Sequence, residues 1–287
     1  KEKIRNDSIQ TQRKEWADYA KTLALAKGTK LQEETLGGVP CLWVHNEESK
    51  EDRVILYLHG GGLVDGSTLT HREMASRFSQ ITHLPVVLVD YRLLPEHPYP
   101  APLEDVLSAY RALINQKKIE PKQIIFGGDS SGGGLVVATM MRLRDSNEPL
   151  PHRAFTISGV FDVSLSGDTP HTLDKADPIL SHAVLKDWQA KYFSNSVELK
   201  SPFLSPLFGN LANLPPLLIQ VGSDEVWLSD SIRLATKIKE AGGSIHLKVW
   251  DSMWHVWHMN AELPEAKWAI EEIRDFIFDE QIVENRQ

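Results

Sequence analysis

The sequence predicts an α/β fold: a mostly parallel central sheet flanked by helices, with a helical cap. Three observations predict it. Short apolar runs recur along the chain, with segments of helical periodicity between them, which is the rhythm of right-handed βαβ units. One apolar run, Ile124-Ile125-Phe126, enters a glycine-rich turn and leaves directly into a helix-forming run, Leu135 to Arg144. The rhythm breaks between residues 164 and 212, where Pro, Ser and Asn mix with short apolar pieces. Long non-periodic stretches in compact domains tend to be functional excursions, here read as a piece of a lid.

In chain order, residues 1 to about 30 read as helical, because Ile9, Trp16, Tyr19, Ala20 and Leu23 share one face. Packing on its own core and covering a site are both open for this helix. Residues 35–45 read as a hairpin around Gly37-Gly38, and Arg53 to Leu58 as a buried strand. A helix over 70–83 and a strand from Pro85 to Asp90 follow, then a rigid proline-rich loop from Tyr91 to Pro102. Val106, Leu107, Tyr110, Leu113 and Ile114 give residues 103–116 a helical apolar face. Ala154 to Phe161 is a further strand. After the break come strand Leu217–Val221, helix Asp230–Ala241 ended by Gly242-Gly243, strand Ser244–Trp250 and helix Pro264–Phe278. The expected division is an N-terminal cap segment at 1–35, core at 36–163, an inserted cap segment at 164–212 and core again at 213–287.

Composition bounds the function. A chain of 287 residues supports a large core in one or two domains. A net charge of −8 with no Lys/Arg cluster argues against nucleic-acid binding. No apolar run approaches the roughly 20 residues of a membrane span. Lys1-Glu2-Lys3-Ile4-Arg5 lacks the apolar core of a signal peptide, so a cytoplasmic protein is expected, although residue 1 need not be the native start. Cys41 is the single cysteine, which rules out a disulfide framework and a cysteine-based metal site.

The chemistry centres on Gly128-Asp129-Ser130-Ser131-Gly132. A Gly-x-Ser-x-Gly turn between a strand and a helix is the nucleophile elbow of α/β-hydrolases. The tight turn strains the middle residue, small flanking residues avoid clashes, and the hydroxyl stands at the carboxyl end of the sheet. A flexible glycine loop is the bland alternative. A trypsin-like protease is the other, excluded by the lone cysteine and the lack of a suitable His/Asp pair upstream. A serine hydroxyl needs a general base, and the base an orienting acid, in the chain order Ser, acid, His. The strand Leu217–Val221 ends in Gly222-Ser223-Asp224-Glu225. Asp224 is the preferred acid over Glu225, Asp230 and Asp251. Glu225 would serve chemically but is expected to point away, and Asp230 reads as a helix N-cap or first-turn acid. His255 is the first histidine beyond the next strand and is preferred to His258. The His-x-x-His pair they form has no further ligands nearby, so no metal is expected, and no cofactor is needed. The oxyanion donors are expected from the backbone of Ser131 and of His59-Gly60-Gly61-Gly62. No Gly-Lys-Ser/Thr follows those glycines, so a phosphate-binding loop is unsupported. His59 reads as holding the loop in shape.

These motifs resemble the hormone-sensitive lipase family of bacterial esterases, in the subgroup with a Gly-Asp-Ser-Ala-Gly elbow. The matches are His59-Gly60-Gly61-Gly62, Asp90-Tyr91-Arg92-Leu93-Leu94-Pro95-Glu96 with Pro98-Tyr99-Pro100-Ala101, the elbow, Gly222-Ser223-Asp224-Glu225 and His255-Val256-Trp257. The resemblance implies a triad of Ser130, Asp224 and His255, with oxyanion donors Gly61, Gly62 and Ser131. It implies hydrolysis of short- to medium-chain acyl esters, a small-molecule substrate, and a cap built from the N-terminus and an insertion. It also implies a homodimer through the last strand and a neighbouring helix, about 245–250 and 230–241. Two departures stand out. Ser131 replaces the usual alanine, with little effect expected because it contributes a backbone N–H. Leu63 follows the glycines where an aromatic is common. A related hydrolase of lactones, carbamates or amides is the alternative. A non-catalytic receptor on the same fold is a weaker one, because all three triad types are present.

Overall fold

The computed structural model describes residues 7–50, 52–193 and 198–279. The segment 1–6, read above for a leader, lies outside the described residues. Helix α1 (Ile9–Thr22) starts at Ser8, whose hydroxyl accepts the Thr11 N–H at 3.2 Å. Strands β1 (Lys30–Leu36) and β2 (Val39–His45) form an antiparallel hairpin. The segment read as cap up to residue 35 therefore overlaps a sheet strand. β1 is exposed along most of its length, and Lys-Leu-Gln-Glu-Glu-Thr carries almost no apolar signal to announce it.

The rest follows the expected rhythm: β3 (Val54–Leu58), α2 (Thr68–Thr82), β4 (Val86–Val89), α3 (Ala101–Asn115), β5 (Ile124–Asp129), α4 (Ser131–Asp145) and β6 (Arg153–Ile157). Then come α5 (Thr169–Thr172) and α6 (His182–Phe193), followed by β7 (Leu217–Gly222), α7 (Leu228–Glu240), β8 (Ile245–Trp250) and α8 (Pro264–Phe278). The sheet order is β1-β2-β4-β3-β5-β6-β7-β8, antiparallel at β1-β2 and β2-β4 and parallel elsewhere. β3, β4, β5, β6 and β7 are buried throughout. That is why their sequences are mostly apolar rather than alternating, with Asp129, Arg153, Thr156 and Gln220 as buried polar exceptions.

Helices cover both faces. On one, Tyr110 of α3 meets Phe126 of β5 edge-on at 5.0 Å. On the other, Phe78 of α2 stacks on Phe155 of β6 at 5.5 Å, with Ile273 and Ile277 of α8 in the same cluster. Helix α4 begins four residues earlier than the sequence predicts. Its first turn holds three glycines, which are poor helix formers but let the helix press onto the sheet. A Cβ on Gly132 would lie 2.1 Å from the Leu58 carbonyl oxygen.

Residues of α1 and α6 line one cavity together with the loops that follow β3, β5 and β7. Arg13 anchors α1. Nε donates to the Val64 carbonyl at 2.8 Å, and one terminal nitrogen donates to that of Leu94 at 2.7 Å. Both terminal nitrogens pair with Glu96 at 2.9 Å. Among the described residues, no helix is long and apolar enough to cross a membrane.

Candidate active site

β5 delivers Ser130 to the top of the sheet. The residue sits at φ 50° and ψ −124°, outside the regions open to ordinary side chains, and its N–H donates to the Ile157 carbonyl at 2.8 Å. Such a conformation costs about 1–3 kcal/mol and persists only where the surroundings enforce it. Helix α4 starts at the next residue, so its first N–H groups and positive dipole end face the hydroxyl. His255 arrives on the loop after β8, with Nε2 3.1 Å from Ser130 Oγ. Burial lowers the His255 pKa from its ordinary value, against the opposing charges of Asp177 and Asp129. The imidazole is thus neutral near pH 7, as a general base must be.

The carboxylate that lies beside His255 is not the one the sequence reading preferred. Asp224 is only partly buried, and its Oδ1 accepts the Ser223 hydroxyl at 2.9 Å. Its own N–H donates to Met253 O at 3.0 Å, a backbone contact that zips the acid loop to the histidine loop. Glu225 is fully buried, and its Oε2 lies 3.9 Å from His255 Nδ1. Oε2 also accepts the Ser158 hydroxyl at 2.6 Å, while Ser158 Oγ accepts the Val256 N–H at 3.0 Å. One serine therefore ties the acid to the histidine loop. The reason for the swap is direction. Both residues lie in the turn after β7, and it is the Glu225 carboxylate that is buried beside His255. Burial pushes the Glu225 carboxyl well above the usual carboxylate range, against the Ser158 hydrogen bond.

The other acids and the second histidine have separate surroundings. Asp230 lies in the first turn of α7, where Oδ2 accepts the Phe161 N–H at 3.3 Å. Burial and the neighbouring Asp162 push its pKa up to about 8. Asp251 is exposed on the turn after β8. His258 is buried with Nε2–H on Gln220 Oε1 at 2.9 Å, and burial brings its pKa down to about 3. Among the described residues, no group of three or more His, Cys, Asp or Glu is arranged to hold a metal ion.

Beside Ser130 runs the loop 59–63. His59 is buried, stacks on Tyr91 at 4.2 Å and donates from Nδ1 to Gly60 O at 2.8 Å. The Tyr91 hydroxyl donates to His59 O at 2.5 Å. Asp129, the residue before the nucleophile, accepts the Gly60 N–H at 3.2 Å and the Tyr57 hydroxyl at 3.0 Å. The N–H groups of Gly61, Gly62 and Ser131 donate to no protein acceptor among the described residues. Gly62 requires its missing side chain: φ is +66°, and a Cβ would lie 2.6 Å from Trp188 Nε1. That indole N–H donates to Gly62 O at 2.9 Å, which ties α6 to the loop.

The Ser131 side chain also participates, beyond the backbone role expected of it. Its Oγ accepts the Leu63 N–H at 3.2 Å in a buried position. Ser131→Ala keeps the backbone donor and removes this acceptor. A buried N–H left unpaired costs about 1–3 kcal/mol. The variant should melt several degrees lower and lose about five- to tenfold in kcat with KM nearly unchanged. Thermal melts with steady-state kinetics check this, and equal kcat in both proteins would show the hydroxyl to be idle.

Above these groups lies a cavity of about 1240 Å³. Gly61, Gly62, Ser130 and His255 line its floor, with Trp16 of α1 and Trp188 of α6 among its walls. Sequence reading ranked Glu225 behind Asp224 and did not consider Ser158 or Asp177. Only Glu225 had a signal, its place beside Asp224.

Residues 55–259 match the alpha/beta hydrolase fold family. An esterase of Acinetobacter venetianus is 37% identical over 238 residues, 81% of this chain and 78% of the relative. An acetyl-hydrolase of Streptomyces hygroscopicus is also 37% identical over 238 residues, 83% of this chain and 79% of the relative. The crystal structure of an esterase from the bacterial hormone-sensitive lipase family superposes with a TM-score of 0.91 at 38% identity. That likeness covers 96% of this chain and 92% of the other.

Proposed function

The chain belongs to the alpha/beta hydrolase fold family, in its hormone-sensitive lipase group of bacterial esterases, and from that premise we propose how its carboxylic ester hydrolase activity runs. Ser130 is the nucleophile, His255 the general base and Glu225 the orienting acid. The observation that carries this reading is the 3.1 Å contact from His255 Nε2 to Ser130 Oγ on the floor of the cavity. His255 takes the Ser130 proton as Oγ bonds to the ester carbonyl carbon. Negative charge moves to the carbonyl oxygen, where the Gly61, Gly62 and Ser131 N–H groups receive it. Glu225 holds the imidazole with Nε2 toward the serine and stabilises the imidazolium that forms. The carbon–oxygen bond to the alcohol breaks, and His255 gives that oxygen the proton. Water then attacks the acyl-enzyme with the same base, releasing the carboxylic acid and restoring Ser130.

The substrate reading is a short- to medium-chain acyl ester. The aromatic residues that line the cavity, Trp16, Tyr19, Trp188 and Trp254 among them, support it, as does likeness to a relative named as an acetyl-hydrolase. The test is a p-nitrophenyl ester series from acetate to palmitate. Turnover should peak at the short end and be absent at palmitate. Inactivity on every ester would move a lactone, carbamate or amide substrate, or a receptor role, ahead.

A homodimer through β8 belongs to the same proposal. β8 is an edge strand whose outward positions include the exposed Leu247 and Val249, with Ile232 of α7 exposed as well. An unpaired apolar edge invites strand pairing. Light scattering should give twice the chain mass for the native protein and the chain mass for Val249→Lys. A native monomer refutes the pairing.

A further inference from the structure

We infer that Asp177, on the segment before α6, is a positioning residue for the catalytic groups: it anchors the loop that holds Glu225 and supplies a second negative charge facing His255. The inference rests on the roles of Glu225 and His255 proposed above.

Asp177 lies between α5 and α6 and is fully buried. Its Oδ2 accepts the N–H of Val226, the residue after Glu225, at 3.1 Å. Its Oδ1 accepts the N–H groups of Ile179 at 2.8 Å and Leu180 at 2.9 Å, and both residues line the cavity. A single carboxylate thus fixes a cavity wall and the acid loop together. Three backbone N–H groups therefore converge on one carboxylate. Among the described residues, no lysine, arginine or histidine pairs with it.

The charges facing His255 are Glu225 from the loop after β7, Asp129 from the end of β5 and Asp177 from the segment before α6. They are not equivalent. Asp129 is met by His71 Nε2 at 3.4 Å and by the Tyr57 hydroxyl. Glu225 resists ionisation, first because it is buried and also because Asp177 repels its charge. Asp177 is held by three backbone N–H groups, those of Val226, Ile179 and Leu180. The imidazolium formed during acyl transfer is therefore stabilised by the pair, with Glu225 as the contact and Asp177 as the charge behind it.

The experiment is the pH profile of kcat/KM for Asp177→Asn, which keeps the size and one acceptor oxygen. Removing a negative charge that favours protonated His255 moves the acid limb to lower pH, by about half to one pH unit. The weaker base lowers kcat about tenfold, with KM within about twofold. An acid limb that stays in place overturns the inference, and if melting falls at the same time the residue is merely structural. Should this variant not fold, Glu225→Gln with Asp177 intact answers the same question. Its residual acid limb should stay within about one pH unit of the native one. A limb displaced by more than about two units would assign the charge to Glu225 alone. Full activity in Glu225→Gln would instead overturn the triad reading itself.

Discussion

Ser130→Ala is expected to lower kcat on p-nitrophenyl acetate by about 10⁵- to 10⁶-fold, with KM changed little and the melting temperature held or raised. Removing the nucleophile of a Ser-His-acid unit costs about as much as removing the whole unit, because its members act together. The residual rate, above that of water, belongs to the oxyanion donors and to binding. Retained or raised stability follows from the elbow. Ser130 sits at φ 50° and is nine-tenths buried, and among the described residues its hydroxyl bonds only to His255. Alanine loses that one contact and keeps the backbone bond to Ile157. Stopped assays with concentrated enzyme measure the residue of activity. Full turnover in the variant would remove the elbow from the mechanism.

The second large effect separates two adjacent carboxylates. Glu225→Gln should lower kcat by about 10³- to 10⁴-fold, because a neutral amide can hold the imidazole in the wrong tautomer. Asp224→Asn should stay within about threefold of the native rate, as partly exposed substitutions away from such a unit cost within about 0.5 kcal/mol. The melting temperature of Glu225→Gln should change little, since a buried acid that resists ionisation is well imitated by an amide. Parallel kinetics on both variants decide it. The reverse order of losses would return the role to Asp224.

That pair also shows where sequence reasoning stops. The elbow was legible because one local requirement, a strained residue between a strand and a helix, selects small residues at fixed offsets. The central strands were legible because burial on both faces leaves mostly apolar residues. His255 followed from its place after the last strand. Asp224 and Glu225, however, are equal in chemistry and differ by one position in a turn, where side-chain direction follows the backbone path and no fixed period. No composition or periodicity encodes that choice. Ser158 and Asp177 were invisible for a related reason. Each acts across more than 45 positions, joining Glu225 and Val226 to segments far away in the chain. β1 was missed because a solvent-facing edge strand needs no apolar residues. The side-chain role of Ser131 was missed because its partner, the Leu63 N–H, is fixed by the loop path rather than by any residue type.

The tryptophan contact to the oxyanion loop has a consequence for protein engineering. A designer who transplants caps between related hydrolases to alter selectivity treats the cap as a removable module. In this chain a cut made between α6 and the loop 59–63 would break the bond from Trp188 Nε1–H to Gly62 O. A donor cap without an indole at that position would leave a glycine at φ +66° without the partner on its carbonyl. Grafts here should carry the position-188 tryptophan with them, or selectivity will change together with turnover and the two will not be separable.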